Sequence, residues 1–237
     1  MNKNELEMSN QNTTEAEAVS ELKPLLSNGK RLKVLNLYAG IGGNRKLWRG
    51  VDVTAVEWDK ATADVYQSFF PRDKVVVGDA HEYLLENYKE YDFIWSSPPC
   101  PSHSRINFSK VRDLEYPDMR LYQEILFLKT WFKGKYCVEN VIPYYEPLIP
   151  GKVIDKHVFW TNFKLSNFEP SRSRKIRSDQ IPELQELTGF DLSDVALKGK
   201  RQKLRNCVHP EIGKHILDRV IEIETKTPRK QEGLFAL

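Results

Sequence analysis

Cys100 stands directly after Pro98 and Pro99, at the end of the apolar run "IWSS", and Glu139 lies 39 residues further on in "VENV". Two consecutive prolines fix two backbone angles and remove two N–H donors, so they aim the next side chain in a defined direction. A thiol aimed this way suits nucleophilic attack, but only as thiolate. Free N–H groups in the following turn, and His103 or Arg105 nearby, would pull the thiol toward ionisation; alternatively those two are ordinary loop residues. Glu139 would face Cys100 across a cleft. Protonated, it can donate to a ring nitrogen; ionised, it can accept an amine. Cys137, inside its strand, and Cys207 read as small buried hydrophobes.

A second cluster reads as a nucleoside pocket. Gly40, Gly42 and Gly43 in "YAGIGG" allow a tight turn and close approach to a ligand. Glu57 follows about 20 residues on, where a carboxylate can take both hydroxyls of a ribose. Trp58 offers a flat face to an adenine, or else packs into the core. Asp79 can accept from an exocyclic amine, or else caps a helix. The turn carries no basic residue and there is no GxxxxGK[ST] motif, so nothing is built for pyrophosphate. An adenosine bearing a non-phosphate group fits better, and S-adenosylmethionine is the candidate cofactor.

These residues need a frame, and strand-like and helix-like segments alternate around them. Strands are predicted at 32–38, 51–58, 74–80, 91–97 and 135–141, with parts of two more in 157–165. Helices are predicted at 60–70, 81–88, 118–132 and 210–224, the last with Pro210 in its first turn. This alternation means an α/β fold, a doubly wound and mostly parallel sheet covered on both faces. In such sheets ligands bind beyond the carboxyl ends of the strands. Residues 1–30 read as a polar tail, and 225–237 as another.

Composition sets outer bounds. The chain has 237 residues, 40% hydrophobic and 29% charged, a globular mixture. No apolar run approaches the ~20 residues of a membrane span, and no secretory signal is apparent. Three cysteines without a CxxC pair suggest free thiols in a reducing cytosol, and no metal site is expected. Three lysines against five glutamates leave residues 1–30 at −2, so the remainder carries +5. Two segments concentrate that charge: "SRSRKIR" (171–177) and "KGKRQKLR" (198–205). Either is a phosphate-binding strip or a solvated loop.

Taken in order, "LNLYAGIGGNRKLW", "VEWD", "SSPPCPSHS", "YCVENV" and "LRNCVHPEIGKHILDRV" resemble the blocks of the cytosine-C5 DNA methyltransferases, in a small phage-like or orphan form. The similarity runs from Leu32 to Val220. It implies a Rossmann-like S-adenosylmethionine-dependent methyltransferase fold, with a core at 31–161 completed by 205–224. By the same resemblance the cofactor is held by Tyr38, Ala39, Gly40, Ile41, Gly42, Gly43, Glu57, Trp58, Asp79, Ala80 and Pro98, with Asn206 and Val208 closing the pocket. Cys100 becomes the nucleophile toward C6 of a flipped cytosine, and Glu139 its ring-nitrogen contact. Double-stranded DNA is the implied partner, met by Ser102, Arg105, Arg172, Arg174, Lys175, Lys200, Arg201 and Lys203. A cytoplasmic setting follows, in a bacterium or a phage-infected cell, with a restriction partner or second subunit left open.

The chain departs from that family twice. Where a Gln-x-Arg-x-Arg block is usual, "GKVIDKHVFW" stands, which puts His157 in place of a cytosine-contacting arginine. The target-recognition region is much reduced, to about 40 residues between 162 and 204. The alternatives are a tRNA cytosine-C5 methyltransferase, although the Cys-Phe-Thr-type block of that branch is missing, and a non-catalytic DNA-binding subunit of a split enzyme.

Overall fold

A computed structural model describes residues 26, 29–105, 116–172 and 180–226. The two polar ends at 1–25 and 227–237, and the expected DNA contacts Arg174 and Lys175, lie outside the described residues.

Seven strands form one sheet: β1 (Leu32–Leu37), β2 (Val51–Glu57), β3 (Lys74–Val77), β4 (Phe93–Ser96), β5 (Lys135–Val141), β6 (Lys152–Ile154) and β7 (His157–Thr161), in the order β3-β2-β1-β4-β5-β7-β6. The first five pair in parallel, and β7 runs antiparallel between β5 and β6. Helices α1 (Lys60–Phe69), α2 (Ala80–Asn87), α3 (Arg120–Trp131) and α6 (Pro210–Lys226) match the expected elements within a few residues. The expected pair of strands in 157–165 is corrected: only β7 lies there. Its partner β6 precedes it, joined by a tight turn with Asp155 at φ 52°. Two short helices in the 162–204 interval were not expected from the sequence: α4 (Ile181–Thr188) and α5 (Lys200–Arg205). Low-hydropathy segments of eight and six residues give too few turns for a helical period to show.

The strands are apolar nearly throughout because both sheet faces are covered. Side chains alternate between faces. Leu32, Val34, Phe93, Trp95 and Phe159 pack under α6, while Leu35, Leu37, Ile94, Val138 and Trp160 pack under α2 and α3. A third cluster joins the glycine turn and α1 to the 181–204 segment through Ile41, Tyr66, Phe70, Leu184, Phe190 and Leu204. On α6, Ile212, Ile216, Leu217 and Val220 are buried. Each contributes roughly 1.5–3 kcal/mol of gross hydrophobic stabilisation.

Helix α6 sits close against the strand β1 exit because Gly213 has no side chain. A Cβ there would fall 2.1 Å from the Asn44 carbonyl oxygen, and the Gly213 carbonyl accepts the Trp48 indole N–H at 2.9 Å. Backbone cannot step aside as a flexible side chain can. Gly213→Ala is therefore expected to cost about 1–3 kcal/mol, read as a lower urea midpoint with an unchanged slope. A midpoint equal to wild type would mean this contact does not set the helix position.

Candidate active site

Strand register brings the unusual residues into one row. Leu37 lies beside both Val56 and Ser96, Glu57 beside Val77, and Ser96 beside Val138. Tyr38, Glu57, Ser97 and Glu139 thus share the carboxyl edge of the parallel strands. A cleft of about 840 Å³ opens along that edge. All the residues expected to hold the cofactor or do the chemistry line it, with the exception of Gly42. Gly42 sits at φ 91°, and a Cβ on it would strike the Phe70 ring at 2.4 Å, so it serves the turn and its packing.

The cofactor half is pre-organised by its own backbone. Glu57 accepts the Gly40 N–H at 2.9 Å and the Asp59 N–H at 3.1 Å, so one carboxylate locks the glycine turn to the end of β2. Gly40 is left-handed at φ 56°, with no atom within 4 Å of where its Cβ would stand. Space for a ligand exists at that point. Trp58 is 80% exposed at the cleft, so the core-packing alternative fails. Asp79 does cap α2: its Oδ1 accepts the His81 and Glu82 N–H groups at 2.8 and 3.1 Å. Neither bond uses Oδ2. Lys203 reaches Asp59 at 3.1 Å from the opposite wall.

The half of the cleft that holds Cys100 and Glu139 is built on two strand exits. Asn140 donates to the Pro98 carbonyl at 3.0 Å and ties the end of β5 to the Pro-Pro segment. The Cys100 carbonyl then accepts the N–H groups of His103 and Ser104 at 3.0 and 3.1 Å, closing a turn. Cys100 is partly exposed and lines the cleft with Glu139. His157 Nε2 lies 3.6 Å from Glu139 Oε1. The Nδ1 atom of His157 is buried without a hydrogen-bond partner among the described residues.

The expected activation of the thiol is corrected. Burial, and then the negative charge of Glu139, push the Cys100 thiol up rather than down. His103 does not act as its cation. Its ring is buried, its Nδ1 lies 2.6 Å from the Tyr145 hydroxyl, and burial lowers its pKa, keeping it neutral. Arg105 donates its Nε to the Pro143 carbonyl at 3.2 Å. Both residues hold the Cys100 loop against the segment after β5.

Residues 32–141 match the family model described as C-5 cytosine-specific DNA methylase. Among solved structures, DNMT2 from Spodoptera frugiperda aligns at 25% identity over 46% of this chain and 35% of that one, with a TM-score of 0.34. A prophage-encoded Escherichia coli protein assigned as a DNA modification methyltransferase aligns at 26% identity over 48% of this chain and 33% of that one, TM-score 0.32. A SAM-dependent methyltransferase from Agrobacterium tumefaciens aligns at 16% identity over 49% of this chain and 40% of that one, TM-score 0.36. The matched part spans about a third of the first two proteins. No curated protein sequence matches the chain.

The expected DNA contacts are dispersed. Ser102 is corrected: it is buried, and its hydroxyl accepts the Asp118 N–H at 3.0 Å. Arg172 pairs with Glu186, and Lys200 donates to the Ser193 carbonyl at 3.1 Å. Arg105 and Arg201 are exposed. Among the described residues of the expected DNA set, Lys203 alone lines the cleft. The site also contains residues that the sequence reading missed. Glu124 and Ser96 lie beneath Tyr38, and Leu184, Leu187 and Thr188 of α4 wall the cleft. A signal for Glu124 exists: it is an acid on the same helical stripe as Leu121, Ile125 and Leu128.

Among the described residues no cluster of His, Cys, Asp and Glu could hold a metal ion, and no helix is long and apolar enough to cross a membrane.

Proposed function

We propose that the chain is a DNA cytosine-C5 methyltransferase that uses S-adenosylmethionine. One observation carries this reading: Cys100, Glu139 and His157 share a single cleft with Tyr38, Glu57, Trp58 and Asp79. The residues fit the cofactor. Glu57 has acceptor capacity left for ribose hydroxyls, Asp79 Oδ2 is open to an exocyclic amine, and exposed Trp58 offers a stacking face. Ala39, Ile41, Gly43, Ala80, Pro98, Asn206 and Val208 complete the wall. When bound, S-adenosylmethionine supplies an electrophilic methyl group.

The chain's own groups manage the base. A cytosine flipped from the duplex places C6 at Cys100 and N3 at Glu139. The thiol proton passes to Glu139 and on to N3 as the S–C6 bond forms, which leaves C5 electron-rich. Protonating Glu139 also removes the charge that held the thiol up. After C5 gains its methyl group, solvent water takes the C5 proton, the S–C6 bond breaks with its electron pair returning to the Cys100 sulfur, and N3 returns its proton to Glu139. His157, beside Glu139, is placed to contact the same base edge from β7.

DNA is favoured over RNA by the matched family and by the basic segments at 171–177 and 198–205. Residues 31–161 and 205–224 serve as the catalytic core, with 162–204 as a short recognition region that doubles as a cleft wall. Tritium transfer from labelled S-adenosylmethionine onto duplex DNA or tRNA tests the reading. Label on cytosine C5 of DNA is expected. Transfer only to tRNA overturns the DNA assignment, and transfer to neither overturns catalysis by this chain.

A further inference from the structure

Beneath the cleft lies a carboxyl group that the proposed reaction does not use. Glu124, on α3, is completely buried. Its Oε1 accepts the Tyr38 hydroxyl at 2.5 Å and lies 3.1 Å from His81 Nδ1; its Oε2 accepts the Ser96 hydroxyl at 2.5 Å. A buried carboxylate is costly unless donors surround it. Here three donors converge on one group from three different elements.

Their places matter. Tyr38 leaves β1 and Ser96 ends β4, the neighbouring strands between which the chain order reverses. His81 sits in the first turn of α2, just after Asp79. Glu124 therefore ties together three loops that floor the cleft. Tyr38 is also one of only two non-glycine residues with positive φ among those described, at 55°. L residues avoid that conformation, so something must hold it. The groups facing the His81 ring are Glu124, Asp79, Arg120 and, through Glu124, Tyr38. Burial and Glu124 push the Tyr38 hydroxyl up, so it remains a donor. The hydrogen bond that His81 donates to Glu124 raises the imidazole's pKa.

We propose that Glu124 is a positioning residue of the cofactor pocket: through Tyr38, Ser96 and His81 it fixes the Tyr38 ring and the β1–β4 crevice in the conformation that receives an adenosyl group. This inference rests on the cofactor reading above. Its mechanism is pre-organisation: without the tether, ordering the Tyr38 turn is charged against ligand affinity.

The test is calorimetric binding of S-adenosylhomocysteine to wild type, Tyr38→Phe, Glu124→Gln and the double variant. Tyr38→Phe keeps the ring and deletes only the tether. It is expected to bind about 5- to 20-fold more weakly, with a raised KM for S-adenosylmethionine, and to melt a few degrees lower because buried Glu124 loses one of its donors. Glu124→Gln keeps one oxygen able to accept the Tyr38 hydroxyl, so it is expected to bind no more weakly than Tyr38→Phe, and the double variant to lie within about twofold of Tyr38→Phe. In the wild-type chain the His81 imidazole should titrate by NMR above its midpoint in Glu124→Gln. A Tyr38→Phe variant that binds as tightly as a wild type that itself binds overturns this inference alone. A wild type that binds neither S-adenosylhomocysteine nor S-adenosylmethionine overturns the cofactor reading, and this inference with it.

Discussion

Replacing Cys100 with alanine is expected to lower methyl transfer by about 10⁴-fold or more, while S-adenosylmethionine affinity stays within a few-fold. The two effects separate because the thiol lies on the Glu139 side of the cleft, beyond the turn that binds Glu57. No cavity of consequence opens, since Cys100 is already partly exposed, so the variant should fold normally. DNA containing 5-fluorocytosine supplies a second readout. Fluorine at C5 cannot leave as a proton does, so the S–C6 adduct persists and shifts on a denaturing gel. Wild type with cofactor should form it and Cys100→Ala should not. An alanine variant that still forms the adduct, or one that loses cofactor binding instead of turnover, would place the nucleophile elsewhere.

Glu139→Gln should move two measurements in opposite directions. Methyl transfer is expected to fall by about 10²–10⁴-fold, because an amide cannot relay a proton to N3. Alkylation of Cys100 by iodoacetamide should become faster. The sign follows from the causes of the shift. Burial and the Glu139 charge both raise the thiol pKa, so removing the charge lowers it and enlarges the thiolate fraction at fixed pH. An increase of roughly two- to tenfold at pH 8 is expected. Cys137 is fully buried and the Cys207 thiol donates to the Lys203 carbonyl, so Cys100→Ala provides the background rate. Equal alkylation of wild type and Glu139→Gln would show that the carboxylate does not act on the thiol.

Much of this site was legible before any coordinates. Parallel strands place their carboxyl ends along one edge, so residues that follow five apolar runs must meet there. That rule brought Glu57, Asp79, Cys100 and Glu139 together, since a strand's exit is a local property of sequence, while Tyr38 came from the resemblance. His157 was legible for a different reason. The resemblance of "HVFW" to the family strand that carries an arginine marked it, and the structure sets it antiparallel to Val141 across β5 and β7, at the same edge.

What the sequence could not yield depends on which groups bury which. The thiol's shift required knowing that His103 turns toward Tyr145, leaving Glu139 as the charge that acts on Cys100. Ser102 looked free for DNA until the Asp118 N–H was found on it. Glu124 lies 86 residues from Tyr38, and no local spacing relates the two. The helices of the 162–204 interval are held mainly by Phe190, Leu184 and Leu204 packing on the glycine turn and α1, contacts made after the chain has crossed the whole sheet. The sequence by itself determined the strand order's reactive edge and the residues that project from it, because periodicity and turn chemistry act within a few residues. Only the tertiary structure decided which way the Cys100 thiol shifts and what forms the second wall of the cleft, because desolvation and long-range hydrogen bonds arise when distant segments pack.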